Sequence, residues 1–232
     1  MTRIVNNCVA LVCLCLFWGQ SLRAADASHS EQIKWGNESV FNEEHNTLGL
    51  FSGVLGGQIV LAGGTSDDYS RWGRNAVCLS ENAGFALYED VLSKPLAYGA
   101  SITLSDGILC IGGRDSSQCY EDVFFVTMQQ GKLNVSEDWP PLPFPLSNAA
   151  GALLDNKVYL FGGRKSVSPS RLSDSFFVLD LSNKSRGWKE LPGYPGCVRE
   201  DAILVVQNNG VSPCLYLLGG QTETEEGLSS CL

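Results

Sequence analysis

Short apolar runs closed by a glycine pair recur along the chain: GGQIVLAGG (56–64), DGILCIGG (106–113), NKVYLFGG (156–163) and SPCLYLLGG (212–220). Each run opens on turn-forming residues and holds only four or five apolar positions, which predicts β-strands rather than helices. A strand of small residues precedes each run: GLFSGVL (49–55), YGASITL (98–104), SNAAGALL (147–154) and REDAILVV (199–206). After the first three glycine pairs come a polar loop and a third strand, AVCLSE (76–81), DVFFVTM (122–128) and SFFVLDL (175–181). A tryptophan then opens an edge segment, Trp139 in WPPLP and Trp188 in WKELP, with Trp35 in that role for the first repeat. Pro140, Pro141, Pro143, Pro145, Pro192 and Pro195 keep these stretches out of helices and off central strands.

The first glycines of the pairs are Gly63, Gly112, Gly162 and Gly219, separated by 49, 50 and 57 residues. A period of this length, with about four strands in each repeat, is that of kelch blades. The expected fold is therefore all-β, a kelch-type β-propeller with about four blades present. The glycine pair marks a sharp turn near the central axis, where a Cβ has no room and positive φ is needed. Four blades are few for a closed ring, so the domain over residues 25–232 reads as incomplete at its C-terminus.

The first residues read differently. Arg3 is followed by the apolar stretch CVALVCLCLFW (8–18), then Gln20, Ser21, Arg23 and the small pair Ala24–Ala25. That length suits the core of a signal peptide over residues 1–24 and is short for a membrane span. Export to a periplasm or to the outside is expected, with no membrane attachment after cleavage. Cleavage would remove Arg3, Arg23 and no acid, moving the formal net charge from −9 to −11. Such an acidic chain repels polyanions, so nucleic acid is excluded as a partner. Six cysteines would remain, Cys78, Cys110, Cys119, Cys197, Cys214 and Cys231, at wide and irregular spacing. They form no zinc pattern; export permits bridges among them, and burial as small apolar residues is the competing reading.

No nucleophile motif or phosphate loop is present, and the only histidines are His29 and His45. A metal centre or a histidine-based triad is hard to build from them, so no metal and no cofactor are expected. This scarcity also argues against a copper-dependent kelch oxidase. The residues directly after the glycine pairs, Thr65, Arg114, Arg164 and Gln221, should lie around the channel mouth. Arg114 and Arg164, joined by Arg199 at the start of an inner strand, are the candidate binders of a carboxylate, because guanidinium is a planar two-pronged donor. The competing reading pairs them with nearby acids such as Asp115, Glu200 or Asp201.

The stretches FSGVLGGQIVLAGGT (51–65), LAYGASITLSDGILCIGGRDSSQCYEDVFFV (96–126) and WPPLPFPLSNAAGALLDNKVYLFGG (139–163) resemble the N-acetylneuraminate epimerases, or sialic acid mutarotases, of the circularly permuted branch. The resemblance covers most of residues 33–221. It implies a six-bladed ring and a cofactor-free isomerase that interconverts the α and β anomers of N-acetylneuraminate, a sugar acid. A base takes the anomeric hydroxyl proton, the ring oxygen is protonated, and the opened chain closes on its other face. The family's acid/base glutamate directly follows a blade-ending glycine, with an arginine six residues on. Thr65, Arg114, Arg164 and Gln221 occupy that place here, so no catalytic residue is carried over. The blade bearing the pair would follow residue 232, and the chain by itself is expected not to catalyse mutarotation. The alternative is a non-enzymatic exported kelch module that binds a glycan or a protein.

Overall fold

The computed structural model describes residues 48–80, 84–224 and 227–231. The signal segment, Trp35, His29 and His45 lie outside them. Blade 1 is a four-stranded antiparallel sheet of β1 (Phe51–Leu55), β2 (Gln58–Ala62), β3 (Ala76–Ser80) and β4 (Gly84–Tyr88), in that order. Blade 2 repeats it with β5 (Ala100–Thr103), β6 (Ile108–Ile111), β7 (Val123–Gln129) and β8 (Lys132–Ser136). Blade 3 has β9 (Ala150–Leu154) and β10 (Lys157–Phe161), then a small hairpin of β11 (Arg164–Ser166) and β12 (Arg171–Leu172), then β13 (Phe176–Asp180) and β14 (Lys189–Leu191). Blade 4 consists of the pair β15 (Ile203–Asn208) and β16 (Pro213–Leu218), followed by the hairpin β17 (Gln221–Thr224) and β18 (Gly227–Ser230).

Several tight turns follow from the sequence. The hairpins β1–β2, β7–β8 and β9–β10 turn on Gly56–Gly57, Gln130–Gly131 and Asp155–Asn156, all at positive φ. Two consecutive left-handed residues match the right-handed twist of paired strands, and glycine and Asx residues adopt that conformation at least cost.

The apolar runs of blades 2 and 3 are continuous because each of these two blades is covered on both faces. In β6, Ile108 and Cys110 enter the core between blades 1 and 2, while Leu109 and Ile111 enter the core between blades 2 and 3. Strand alternation thus divides four neighbouring residues between two cores. Phe124 and Val126 of β7 join the first, Val123 and Phe125 the second, and Phe177 and Leu179 of β13 complete the second. A third, smaller core of Ala150, Ala152, Phe161 and Leu204 joins blades 3 and 4. On the far face of blade 4, Ile203 and Leu218 are cross-strand partners and are 43% and 52% exposed.

The inner strands β1, β5, β9 and β15 lie side by side, and small residues in β1, β5 and β9 ease the approach. The Ser52 N–H donates to Ser101 Oγ at 3.1 Å and the Val54 N–H to Thr103 Oγ1 at 3.2 Å, joining blades 1 and 2. Ser101→Ala should therefore lower unfolding free energy by about 1 kcal/mol in a urea titration, the usual worth of one such bond.

One expectation needs correction. The outer strand of blade 2 is β8, upstream of Trp139, and Trp139 lies outside any strand. It packs instead on Phe125, ring centroids 5.2 Å apart, and Trp188 donates its indole N–H to Pro140 O at 3.0 Å. Blade 1 ends, among the described residues, on β4, which continues the sheet directly from β3; the edge segment read at Trp35 lies outside the described residues. Trp188 does stand immediately before β14, as read.

Candidate functional site

The four corners repeat one backbone arrangement. Each residue after a glycine pair exchanges two backbone hydrogen bonds with the segment leading into the inner strand: Thr65 with Leu48, Arg114 with Ala97, Arg164 with Ser147, and Gln221 with Glu200. The residue after each of those partners is left-handed: Gly49, Tyr98, Asn148 and Asp201, at φ of 64°, 60°, 54° and 53°. These four are linked in series. Tyr98 N–H donates to Gly49 O at 2.7 Å, Asn148 N–H to Tyr98 O at 2.7 Å, and Asp201 N–H to Asn148 O at 3.0 Å. The ladder steps from blade to blade at the inner ends of the sheets and sets side chains into one cleft of about 350 Å³. Tyr98, Arg114, Asn148, Arg164, Asp201 and Gln221 line it.

The three candidate arginines meet three different fates. Arg114 lines the cleft and its guanidinium carbon sits 4.7 Å from the Tyr98 ring centre and 5.2 Å from that of Trp72. Among the described residues no carboxylate lies within ion-pair distance of it. Two aromatic neighbours hold the cation without neutralising it. Arg164 also lines the cleft but is paired: Nε donates to Glu200 Oε2 at 2.8 Å, Nη2 to Glu200 Oε1, and Nη2 stands 3.3 Å from Glu223 Oε1. That two-pronged pair raises the affinity of Arg164 for its proton. Arg199 is 3% exposed, donates to Gly219 O at 2.7 Å and to Cys197 O at 3.4 Å, and is not among the cleft-lining residues. Its place at the start of an inner strand sends it into the Gly219 corner of its own blade, where it holds backbone rather than ligand.

The acids named as competitors also separate. Glu200 is 4% exposed and bound to Arg164. Asp115 is capped by Tyr120 Oη–H at 2.5 Å and by the Ser117 and Gln118 N–H groups at 2.7 and 2.9 Å. Burial works against its charge, yet these donors prevail and bring its pKa to about 2. Asp201 faces the open cleft, and Asn148 Nδ2 donates to its Oδ1 at 2.8 Å. Loss of solvent on the surrounding sides raises its pKa, with Glu200 adding to the rise and Asn148, Arg164 and Arg114 opposing it. The Tyr98 phenol, mostly by burial and also by its contact with Tyr69, is pushed well above its usual range.

The aromatic wall Tyr69–Trp72–Tyr98 and the placement of Asn148 and Asp201 beside the arginines were not legible from motifs. The signal that exposes them is the repeat itself, because positions 49, 98, 148 and 201 are equivalent. Among the described residues no group of three or more His, Cys, Asp or Glu is set to hold a metal ion. Cys197 and Cys231 form a disulfide, while Cys78, Cys110 and Cys119 are free and buried.

A family model described as Kelch motif matches residues 145–192. Curated relatives named N-acetylneuraminate epimerase include that of Vibrio cholerae serotype O1, 31% identical over 106 residues, which is 46% of this chain and 25% of that protein. The one from Yersinia pestis strain Pestoides F is 32% identical over 89 residues, covering 38% of this chain and 20% of the relative. The one from Haemophilus influenzae strain PittEE is 30% identical over 92 residues, covering 40% and 22%. The chain thus spans about a quarter of the length of the curated relatives it matches. Among solved structures, that of YjhT superposes with a TM-score of 0.57 at 10% identity, over 79% of this chain and 68% of the other. The chain is all-β, carries a Kelch motif over residues 145–192 and resembles, over part of its length, the N-acetylneuraminate epimerases.

Proposed function

We propose that the protein is sialic acid mutarotase-like and that its axial cleft binds N-acetylneuraminate by the carboxylate. The observation that carries this reading is Arg114, a guanidinium fixed between Trp72 and Tyr98 at the cleft with no acid to neutralise it. A fixed planar donor in a partly enclosed site loses little freedom on gripping a carboxylate, so most of the bond strength is available for binding. The relatives named N-acetylneuraminate epimerase point to the same ligand. The glutamate that the resemblance implies follows none of the four glycine pairs. Anomer interconversion should therefore be far slower than in a chain that carries it. The signal-like start and the Cys197–Cys231 bridge support an exported protein.

A titration followed by protein NMR tests the assignment. N-acetylneuraminate should shift resonances of Trp72 and Tyr98, and the neutral sugar N-acetylmannosamine should not at equal concentration. Equal response to both sugars, or to neither, would overturn it. Binding without faster anomer exchange would leave the non-enzymatic kelch module.

A further inference from the structure

We propose that Asp201 is the proton-transferring carboxylate of this cleft, accepting the anomeric hydroxyl proton of a sugar acid held on Arg114. The inference rests on the sugar-acid reading above and adds a residue and a chemical step to it. Among the four equivalent ladder positions, Gly49, Tyr98, Asn148 and Asp201, only the last carries a carboxylate. All four share the left-handed backbone, so that conformation follows from the ladder; what distinguishes Asp201 is the acid it presents.

Its neighbours leave that acid available. Glu200, the residue before it, lies in the cleft wall bound to Arg164, and Arg164 is further engaged by Glu223. Asp201 makes no ion pair among the described residues and is held by the neutral Asn148 amide at 2.8 Å. One oxygen is thereby oriented while the side chain stays accessible from the cleft. The charged and titratable groups around it are Arg114, Arg164, Glu200 and Tyr98, with Tyr69 against Tyr98 and Glu223 against Arg164. A carboxylate in this setting binds a proton more tightly than an exposed aspartate, and so is a stronger base toward a hydroxyl.

The step balances with solvent alone. Asp201 takes the proton from the anomeric hydroxyl, and the freed O–H pair becomes the C=O bond of the open ketone. The bond from the anomeric carbon to the ring oxygen breaks, its electron pair staying on that oxygen. Water protonates the ring oxygen, and the hydroxide left behind recovers the proton from Asp201. Rotation about the neighbouring carbon–carbon bond and the reverse sequence deliver the other anomer. Tyr98, with its raised proton affinity, stays a neutral hydroxyl throughout.

The test measures anomer exchange of N-acetylneuraminate by NMR with the full chain, from pH 4 to 8. Only ionised Asp201 is a base, so the protein-dependent rate should rise with pH through a midpoint above the ordinary aspartate value of about 3.9. Asp201→Asn should lower that rate about ten-fold or more and flatten the rise. Sugar-acid affinity should hold or tighten, since a repelling charge has gone. Asp201→Gly should fold at least as well, because glycine adopts φ of 53° freely and already fills the equivalent Gly49. It should be equally slow. Asp138→Asn, away from the cleft, should leave rate and profile unchanged. Binding without any protein-dependent acceleration would overturn the role of Asp201 and leave the sugar-acid site standing. So would full activity in the Asn or Gly variant. Absence of binding would remove both.

Discussion

Gly112→Val is expected to cost about 4 kcal/mol of unfolding free energy, read from the urea midpoint at unchanged slope. Gly112 has φ of 62°, and a Cβ there would fall far inside contact with the backbone carbonyl of Leu146. That carbonyl accepts the Gly113 N–H at 2.8 Å, and the Gly112 N–H donates to Asp122 O at 2.8 Å. Any side chain therefore pushes the segment leading into blade 3 away from blade 2. A branched residue in the left-handed region costs about 2 kcal/mol, and the disturbed hydrogen bonds add about 1 kcal/mol each. Gly56→Ala is the control. Its φ of 55° is similar, but nothing lies within 4 Å of an added Cβ, so the loss should be near 1 kcal/mol. Equal losses at the two sites would show that conformation alone, and not the close approach of blades, selects glycine at the corner.

Arg114→Ala is expected to weaken N-acetylneuraminate binding about 30- to 100-fold while leaving the melting temperature nearly unchanged. A charge-assisted hydrogen bond to a buried carboxylate is worth about 1.5–3 kcal/mol, and Arg114 has no carboxylate partner among the described residues that its removal would strand. Arg164→Ala should show the reverse balance. It leaves Glu200, 4% exposed, without its two-pronged partner, so stability should fall about 2–3 kcal/mol. Arg114→Lys should restore little, because an ammonium has no plane to lie against Trp72 and Tyr98. Calorimetric titration beside thermal melts separates the outcomes. An affinity unmoved by Arg114→Ala would refute Arg114 as the anchor.

The three arginines show how far residue type and spacing carry. The positions of Arg114 and Arg164 after glycine pairs were enough to place both at the cleft. Spacing did not tell which was already spent. That depends on Glu200, 36 residues beyond Arg164 in the chain and brought against it only when blade 4 packs on blade 3. Arg199 looked equivalent by its place before an inner strand, yet its side chain enters the Gly219 corner. Blade 1 and blade 2 ended in β4 and β8, which no tryptophan or glycine pair marks; β4 is apolar yet mostly exposed and β8 alternates polar with apolar residues, as outer-edge strands that meet solvent can.

Hydrophobic runs, glycine pairs and their period determined the β-blades, their order and the sharp corners, since each is a local consequence of side-chain alternation, backbone freedom and repeat length. Tertiary structure alone decided the site. It linked Gly49, Tyr98, Asn148 and Asp201 into one ladder, left Arg114 charged between two rings, and set an accessible carboxylate beside it. The physical reason is that charge compensation and solvent access are sums over neighbours 36 and 53 residues apart in the chain, and those neighbours are fixed only once the blades pack.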